Sequence, residues 1–464
     1  MSGPGNRAQW ASNLGFLLAA AGSAVGLGNI WKFPGKAYEG GGGAFILIYI
    51  AIIALVGATV MLAEFIIGRA TQKNAVGAFC QLRPAWKWVG GMGIFTGFII
   101  LCYYSHVGGW VLYYLCGYLT DAAAISADPT AYFYRMLGVG SGFPWGGAVL
   151  FPLLFAALTV FVVVKGVAGG IERLNKVAMP LLFLLLILLM VRAVTLPGAM
   201  DGLRYMLQPD FSLLTWNDVL VALGQAFFSL SLGMGIMCTY GSYLSREENL
   251  GRNVGIICTL DTLVAVLAGF TVIPAVFATL SASGVGKGAG FVFTAMPGVF
   301  QAMPGGVFWA ILFYLLLFFA ALTSSISLLE GTVAYLTEQR GFSRKRASLA
   351  LGVILFGIGL IYTLSQGHAD IHGIWLDKNG ISYPIFGDML EFLTDRLLLP
   401  LGGLLFCIFV GWVWGTKNGI AEVRQGGRFR FPLAGLWSLL VRFVAPAAIA
   451  CILIAGVVFG VTLS

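Results

Sequence analysis

The sequence predicts an all-α integral membrane protein of eleven transmembrane helices, two of them broken at mid-membrane depth. Three observations carry this. First, 59% of the 464 residues are hydrophobic and only 10% are charged, against about 25% charged in soluble domains. A soluble chain cannot bury that much apolar surface, and a disordered one would be polar and charge-rich. Second, the apolar runs are long and continuous, as from Leu181 to Met190. That excludes the ~10-residue alternating segments of an outer-membrane barrel and suits the ~20 residues needed to cross ~30 Å of hydrocarbon. Third, closely spaced glycines and small polar residues stand together in the middle of two runs.

In order, the spans run about 11–37, 41–69, 88–119, 147–164, 171–196, 216–243, 254–281, 306–338, 346–364, 386–415 and 432–461. The second opens on Gly41-Gly42-Gly43 and closes at Gly68-Arg69; the fifth contains Pro180, the seventh Asp261. Two long connections, 120–146 and 282–305, are rich in Gly, Ala and Pro and are expected to hold short capping helices. With the N-terminus inside, eighteen of the 27 Lys and Arg residues fall in cytoplasmic segments, which places the N-terminus in the cytoplasm by the positive-inside rule. The net charge of +8 is therefore a topology signal, and no nucleic-acid partner is expected because the basic residues form no single patch. The seven cysteines include no CxxC pair, so neither a zinc site nor a disulfide framework is indicated.

The two broken spans hold the chemistry. The first reads Ala20-Ala21-Gly22-Ser23-Ala24-Val25-Gly26-Leu27-Gly28-Asn29-Ile30, the sixth Gln225-Ala226-Phe227-Phe228-Ser229-Leu230-Ser231-Leu232-Gly233-Met234-Gly235. Either alone reads equally as close helix packing through small residues. Their recurrence about five spans apart points instead to a midplane binding site in a transporter. Backbone freed at that depth must face a polar cavity. Its carbonyls suit cations, and amides at a half-helix N-terminus suit an anion. A small zwitterion with sodium fits both.

At these residues the chain resembles the neurotransmitter:sodium symporter family, in its bacterial eleven-helix branch of transporters for many hydrophobic amino acids. The match runs from Arg7 to about Gly427 and rests on Gly22 to Pro34, Gly41 to Phe45, Glu64 with Gly68-Arg69, Tyr103-Tyr104, Trp110, Gly224 to Gly235 and Leu322 to Ser325. The resemblance implies one transporter domain over 1–464, with 11–196 and 216–415 as five-helix inverted repeats and 432–461 as an additional helix. It also implies two sodium sites. The first would use Ala24, Asn29, Ser229 and Asp261 with the substrate carboxylate; the second Gly22, Val25 and Ala320 with the hydroxyls of Thr323 and Ser324. Those hydroxyls could equally bond back to carbonyls one turn earlier.

Asp261 departs from the family's usual Asn. A carboxylate inside a span costs at least ~2.5–3.5 kcal/mol unless paired. Chloride-dependent relatives use a Ser one turn on, where this chain has Ala265. Asp261 is therefore expected to supply the negative charge itself, with no chloride requirement; a protonated Asp hydrogen-bonded to a neighbouring helix is the plain alternative. Amine-transporting relatives place an Asp where this chain has Gly26, so the substrate is expected to bring its own carboxylate. That carboxylate would meet Leu27, Gly28 and Tyr104, and its ammonium the carbonyls of Ala24, Phe228 and Ser229 with Ser231. The side chain would lie among Ser23, Ile100, Phe228, Met234, Ser324 and Leu328, a mostly apolar set that predicts hydrophobic and aromatic L-amino acids. Met234, between two glycines, can repack for larger ligands.

The gates implied by the resemblance are Arg7 with Glu338, beside Trp10 and Tyr243, at the cytoplasmic face. At the outer face they are Tyr104 with Phe228 below an ionic pair of Lys32 and Glu391, for which Asp395 is a rival. Gly170 and Pro180 mark a hinge at the start of span five, where proline and glycine weaken the helix; a fixed kink is the plain alternative. The expected protein is thus a sodium-coupled importer of the bacterial inner membrane, a monomer or weak homodimer in lipid. A sodium- and amino-acid-binding sensor that does not cycle is the rival. No HExxH, GxSxG or P-loop motif is present, so an enzyme or ATP-driven pump is disfavoured.

Overall fold

The computed structural model describes residues 8–140, 142–280, 291–377, 380–382 and 384–458. Among them, nine helices are long and apolar enough to cross a membrane, among them Gly43–Thr71, Pro84–Thr120, Val167–Val194, Leu250–Thr279 and Gly306–Arg340. A tenth crossing is the bent pair Asn13–Ala24 and Gly28–Glu39, whose halves meet at 49°. The sequence also places a span at 216–243, and there two short helices, Trp216–Ser229 and Ile236–Gly241, stand on either side of an irregular stretch. Together these account for the eleven expected spans, and the two breaks fall where the glycines cluster.

Local chemistry sets the helix ends. Ser12, Asn74, Asn249 and Ser343 each accept an amide from the first turn of the following helix. Thr215 and Asp218 form a reciprocal capping box at the start of span six. Gly341 closes the helix Gly306–Arg340 at φ +70°, a left-handed C-cap that glycine adopts without strain. The long connections hold short helices as expected: Ala122–Ala127 and Pro129–Leu137 in one, Phe291–Thr294 and Met296–Gln301 in the other. The connection between spans nine and ten adds a small antiparallel hairpin, Trp375–Asp377 with Gly380–Ser382.

Spans three and eight make the most extensive helix pair and form the scaffold against which the broken helices lie. Close approach is bought with small residues: a Cβ on Gly109 would lie 2.5 Å from Pro152 of span four. The perimeter is apolar, with Phe161, Val177 and Val353 at 57%, 66% and 74% exposed, as a surface solvated by lipid requires. Arg69, fully buried, ties span two to the helix Thr416–Arg424: its Nε donates to Glu422 Oε1 at 2.8 Å and its Nη1 to the Glu248 carbonyl at 2.6 Å.

Candidate functional site

The first break begins after the Val25 amide donates to the Ala21 carbonyl. The Gly26 amide turns aside to Asn29 Oδ1 at 3.1 Å, and the Leu27 amide donates to Tyr104 Oη at 3.0 Å. The chain then re-enters helix through a wide turn, Gly28–Lys32, of the kind that recurs at functional sites. The second break depends on three left-handed residues, Ser231, Gly233 and Gly235, at φ +54°, +80° and +68°. Ser231 is a non-glycine residue in that region and carries strain. Buried Glu64 of span two holds the break by accepting the Gly233 amide at 2.7 Å.

Asp261 of span seven lies where the breaks meet. Ser229 Oγ donates to its Oδ1 at 2.7 Å, Asn29 Nδ2 to the same oxygen at 2.8 Å, and Tyr49 Oη reaches Oδ2 at 3.5 Å. No basic side chain pairs with this wholly buried carboxylate among the described residues. A buried carboxyl with only neutral neighbours is stabilised by a proton or by a cation; Ser229 and Asp261 present oxygens that suit a hard ion, while Asn29 turns its amide nitrogen toward them and its Oδ1 to the Gly26 amide. Gln225 supports this centre indirectly: its Nε2 donates to the Gly28 carbonyl at 3.0 Å, and its Oε1 accepts Lys36 Nζ at 2.8 Å.

A second oxygen cluster lies between spans one and eight. Ser324 Oγ is 3.3 Å from the Gly22 carbonyl and 3.4 Å from that of Val25, and Thr323 Oγ1 is 3.2 Å from the Ala320 carbonyl. Thr323 also donates back to Phe319 at 3.0 Å, which leaves its lone pairs available to a cation. Span five touches this cluster: a Cβ on Gly22 would collide with Asn175 Oδ1 at 2.1 Å.

Between the clusters is a cavity of about 340 Å³ including its mouth, lined by Ser23, Ala24, Gly26, Gly28, Asn29, Ile100, Tyr104, Phe228, Ser229, Ser231, Met234, Ser324 and Leu328. Every expected substrate contact lines it except Leu27, which lines a second cavity above. Tyr104, Phe228 and Gly28 line both, so the Tyr104 and Phe228 side chains partition one from the other. Sequence reasoning missed Ser327. Its hydroxyl accepts Ser23 Oγ at 2.7 Å, and Ser231 donates to the Ser23 carbonyl at 2.9 Å. The signal was available in the spacing of Thr323, Ser324 and Ser327 on one helix face.

The ionic pair above the lid needs correction. Lys32 Nζ bonds Asp395 Oδ2 at 3.2 Å, and Glu391 instead accepts Tyr362 Oη at 2.8 Å. Glu391 and Asp395 are one turn apart, and their heights along span ten decide which meets Lys32. Lys32 also stands 4.5 Å above the Phe228 ring. The pair is largely enclosed, at 20% and 7% exposed, so removing one partner costs more than the ~0–1 kcal/mol of an exposed pair. Lys32→Ala and Asp395→Asn should therefore each speed substrate dissociation by more than about fivefold. The double variant should do no more than either alone, whereas Glu391→Gln should have a smaller effect; a radioligand washout measures all four.

At the N-terminal face, Trp10 Nε1 donates to the Tyr240 carbonyl at 3.1 Å, and its ring meets Phe16, Tyr240 and Tyr243 edge-on. Arg7 lies outside the described residues. Glu338 accepts the backbone and side-chain nitrogens of Asn74 at 3.0 and 2.7 Å. Tyr243 donates to Glu330 at 2.8 Å, so it belongs with the buried Glu330–Arg344 pair as well. Gly170 is wound into helix, and a Cβ there would lie 2.1 Å from the Val162 carbonyl; Pro180 also lies inside helix, in Arg173–Val194. Between them, Glu172 takes the Ala11 amide at 2.7 Å and Ser12 Oγ at 2.8 Å, tying this segment to the start of span one.

Two helices broken face to face, each lending backbone to one cavity, define a membrane transporter rather than an enzyme. The chain belongs to the sodium:neurotransmitter symporter family, whose profile matches residues 7–126 and 119–462. It is 39% identical to YhdH, an uncharacterized sodium-dependent transporter of Bacillus subtilis, over 95% of this chain and 96% of that one. It is 28% identical to a sodium- and chloride-dependent taurine transporter of Bos taurus, over 89% of this chain and 73% of the other. Its fold is similar to that of MhsT, solved in complex with L-phenylalanine, with a TM-score of 0.85 and 41% identity over 97% of this chain and 100% of that one.

Proposed function

We propose that this chain imports hydrophobic and aromatic L-amino acids by coupling them to two sodium ions, without chloride. The observation that carries this reading is the buried, cation-poor Asp261 with Asn29 and Ser229, adjoining an apolar cavity at the two helix breaks. A sodium ion there neutralises Asp261 and offers its open face to the substrate carboxylate, so each ligand stabilises the other. A second ion at Gly22, Val25, Ala320, Thr323 and Ser324 joins span one to span eight. Its release frees the N-terminal half of span one, and the Gly170–Pro180 segment is the weakest helix beside it.

Gly26 supports an amino acid over an amine. A side chain at that position meets Ser324 Oγ at 2.7 Å and Tyr104 Oη at 2.9 Å, leaving no room for a fixed anion. Ile100, Phe228, Met234 and Leu328 supply the apolar lining, and the similar MhsT was solved with L-phenylalanine. We place the N-terminus in the cytoplasm from the basic loops, the protein in the bacterial inner membrane as a monomer or weak homodimer, and residues 11–196 and 216–415 as inverted repeats.

Uptake of labelled amino acids into proteoliposomes tests this. An inward sodium gradient should concentrate phenylalanine, leucine or tryptophan equally well in chloride and in gluconate. Binding without accumulation would instead identify a sensor, and accumulation indifferent to sodium would reject the scheme.

A further inference from the structure

A third cavity lies away from the transport path, at the face opposite the N-terminus. It is bounded by the ends of spans five and seven, the start of span eight and the short helix Met296–Gln301. Its volume is about 260 Å³ including the mouth. The walls are apolar, chiefly Met296, Phe300, Met303 and Phe313. One charged group enters it: Arg192, whose guanidinium lies 5.9 Å from the centre of the Trp309 ring. No acidic side chain pairs with Arg192 among the described residues. The undescribed stretch nearest in sequence, 281–290, contains no Asp or Glu.

The cavity sits on the lipid-facing perimeter. Leu188, Val191 and Phe308, neighbours in sequence of Arg192 and Trp309, point outward at 43%, 50% and 57% exposed. An arginine next to lipid directs its charge toward the headgroups, and tryptophan prefers that same depth. With the N-terminus inside, Arg192 lies on the side that holds the minority of the basic residues, so the positive-inside bias does not explain it. Its charge finds an anion in the headgroup layer, and basic pockets between transmembrane helices bind lipid headgroups.

We propose that this cavity holds an anionic phospholipid: Arg192 takes the phosphate beside Trp309, and the Met–Phe cleft takes the first part of one acyl chain. The bound lipid would brace the cap helix Met296–Gln301 against spans five and eight.

Native mass spectrometry of the full-length protein, released from micelles doped with dioleoyl phosphatidylglycerol, tests the proposal. Wild type should retain one tightly held phosphatidylglycerol, at least tenfold in preference to phosphatidylcholine. Arg192→Gln should lose it. Met303→Trp, which keeps the charge and fills the cleft, should lose it too. Arg204→Gln removes an exposed arginine of the same face that pairs with Asp201, and should retain the lipid. Equal retention by Arg192→Gln or by Met303→Trp overturns the proposal. So does equal retention of phosphatidylcholine, or displacement of the lipid by inorganic phosphate, which would mark a free-anion site.

Discussion

Asp261→Asn should abolish sodium-driven uptake. The substitution keeps the shape, and the amide can still meet Ser229 and Asn29. What it removes is the one negative charge the protein brings to that oxygen cluster. Losing one partner of a buried ion pair costs about 3–5 kcal/mol, which is on the order of two to four decades in sodium affinity. Amino-acid affinity should fall with it, because the two ligands share a boundary. A scintillation-proximity titration of sodium at fixed labelled substrate measures both. The companion experiment adds Ala265→Ser, one turn further along span seven. A hydroxyl there can hold a chloride, so Asp261→Asn with Ala265→Ser should regain part of the lost uptake in chloride and none in gluconate. Full sodium-coupled uptake by Asp261→Asn alone would remove Asp261 from the ion site.

Gly26→Ala should weaken substrate binding sharply and leave folding intact. The added methyl would lie 2.7 Å from Ser324 Oγ and 2.9 Å from Tyr104 Oη. The first hydroxyl sits among the carbonyls of Gly22 and Val25, and the second holds the Leu27 amide. Overpacking of this kind costs about 1–3 kcal/mol, and here it falls on two groups assigned to ligand and ion. Affinity should drop on the order of a hundredfold, with an unchanged, monodisperse elution profile. Unchanged binding in a folded Gly26→Ala would mean that the amino acid does not sit against this break.

Much of this was legible in the chain. The spans and the two breaks follow from residue type and position along single helices, whereas the group around Asp261 was named from a resemblance. The cavity contacts Ser23, Ile100, Phe228, Met234 and Leu328 were named from a resemblance and come together around one space. The pairings were less legible. Lys32 selects Asp395 rather than Glu391 because one helical turn separates the two acids, and Tyr362 of span nine already occupies Glu391. Ser327 supports the cavity lining only because Ser23 lies opposite it. Arg344 meets Glu330, and Arg69 meets Glu422, across helices whose relative rotation no local pattern specifies.

By itself, then, the sequence determined the solvent, the number of crossings and where two of them must open. Transfer of side chains into hydrocarbon is nearly additive along the chain, and glycine weakens a helix wherever it stands. Only the tertiary structure decided which charges meet, which hydroxyls share a cavity and that Arg192 enters an apolar one beside Trp309. Those depend on helix rotation and height, where a shift of one turn, about 5.4 Å, exchanges one partner for another.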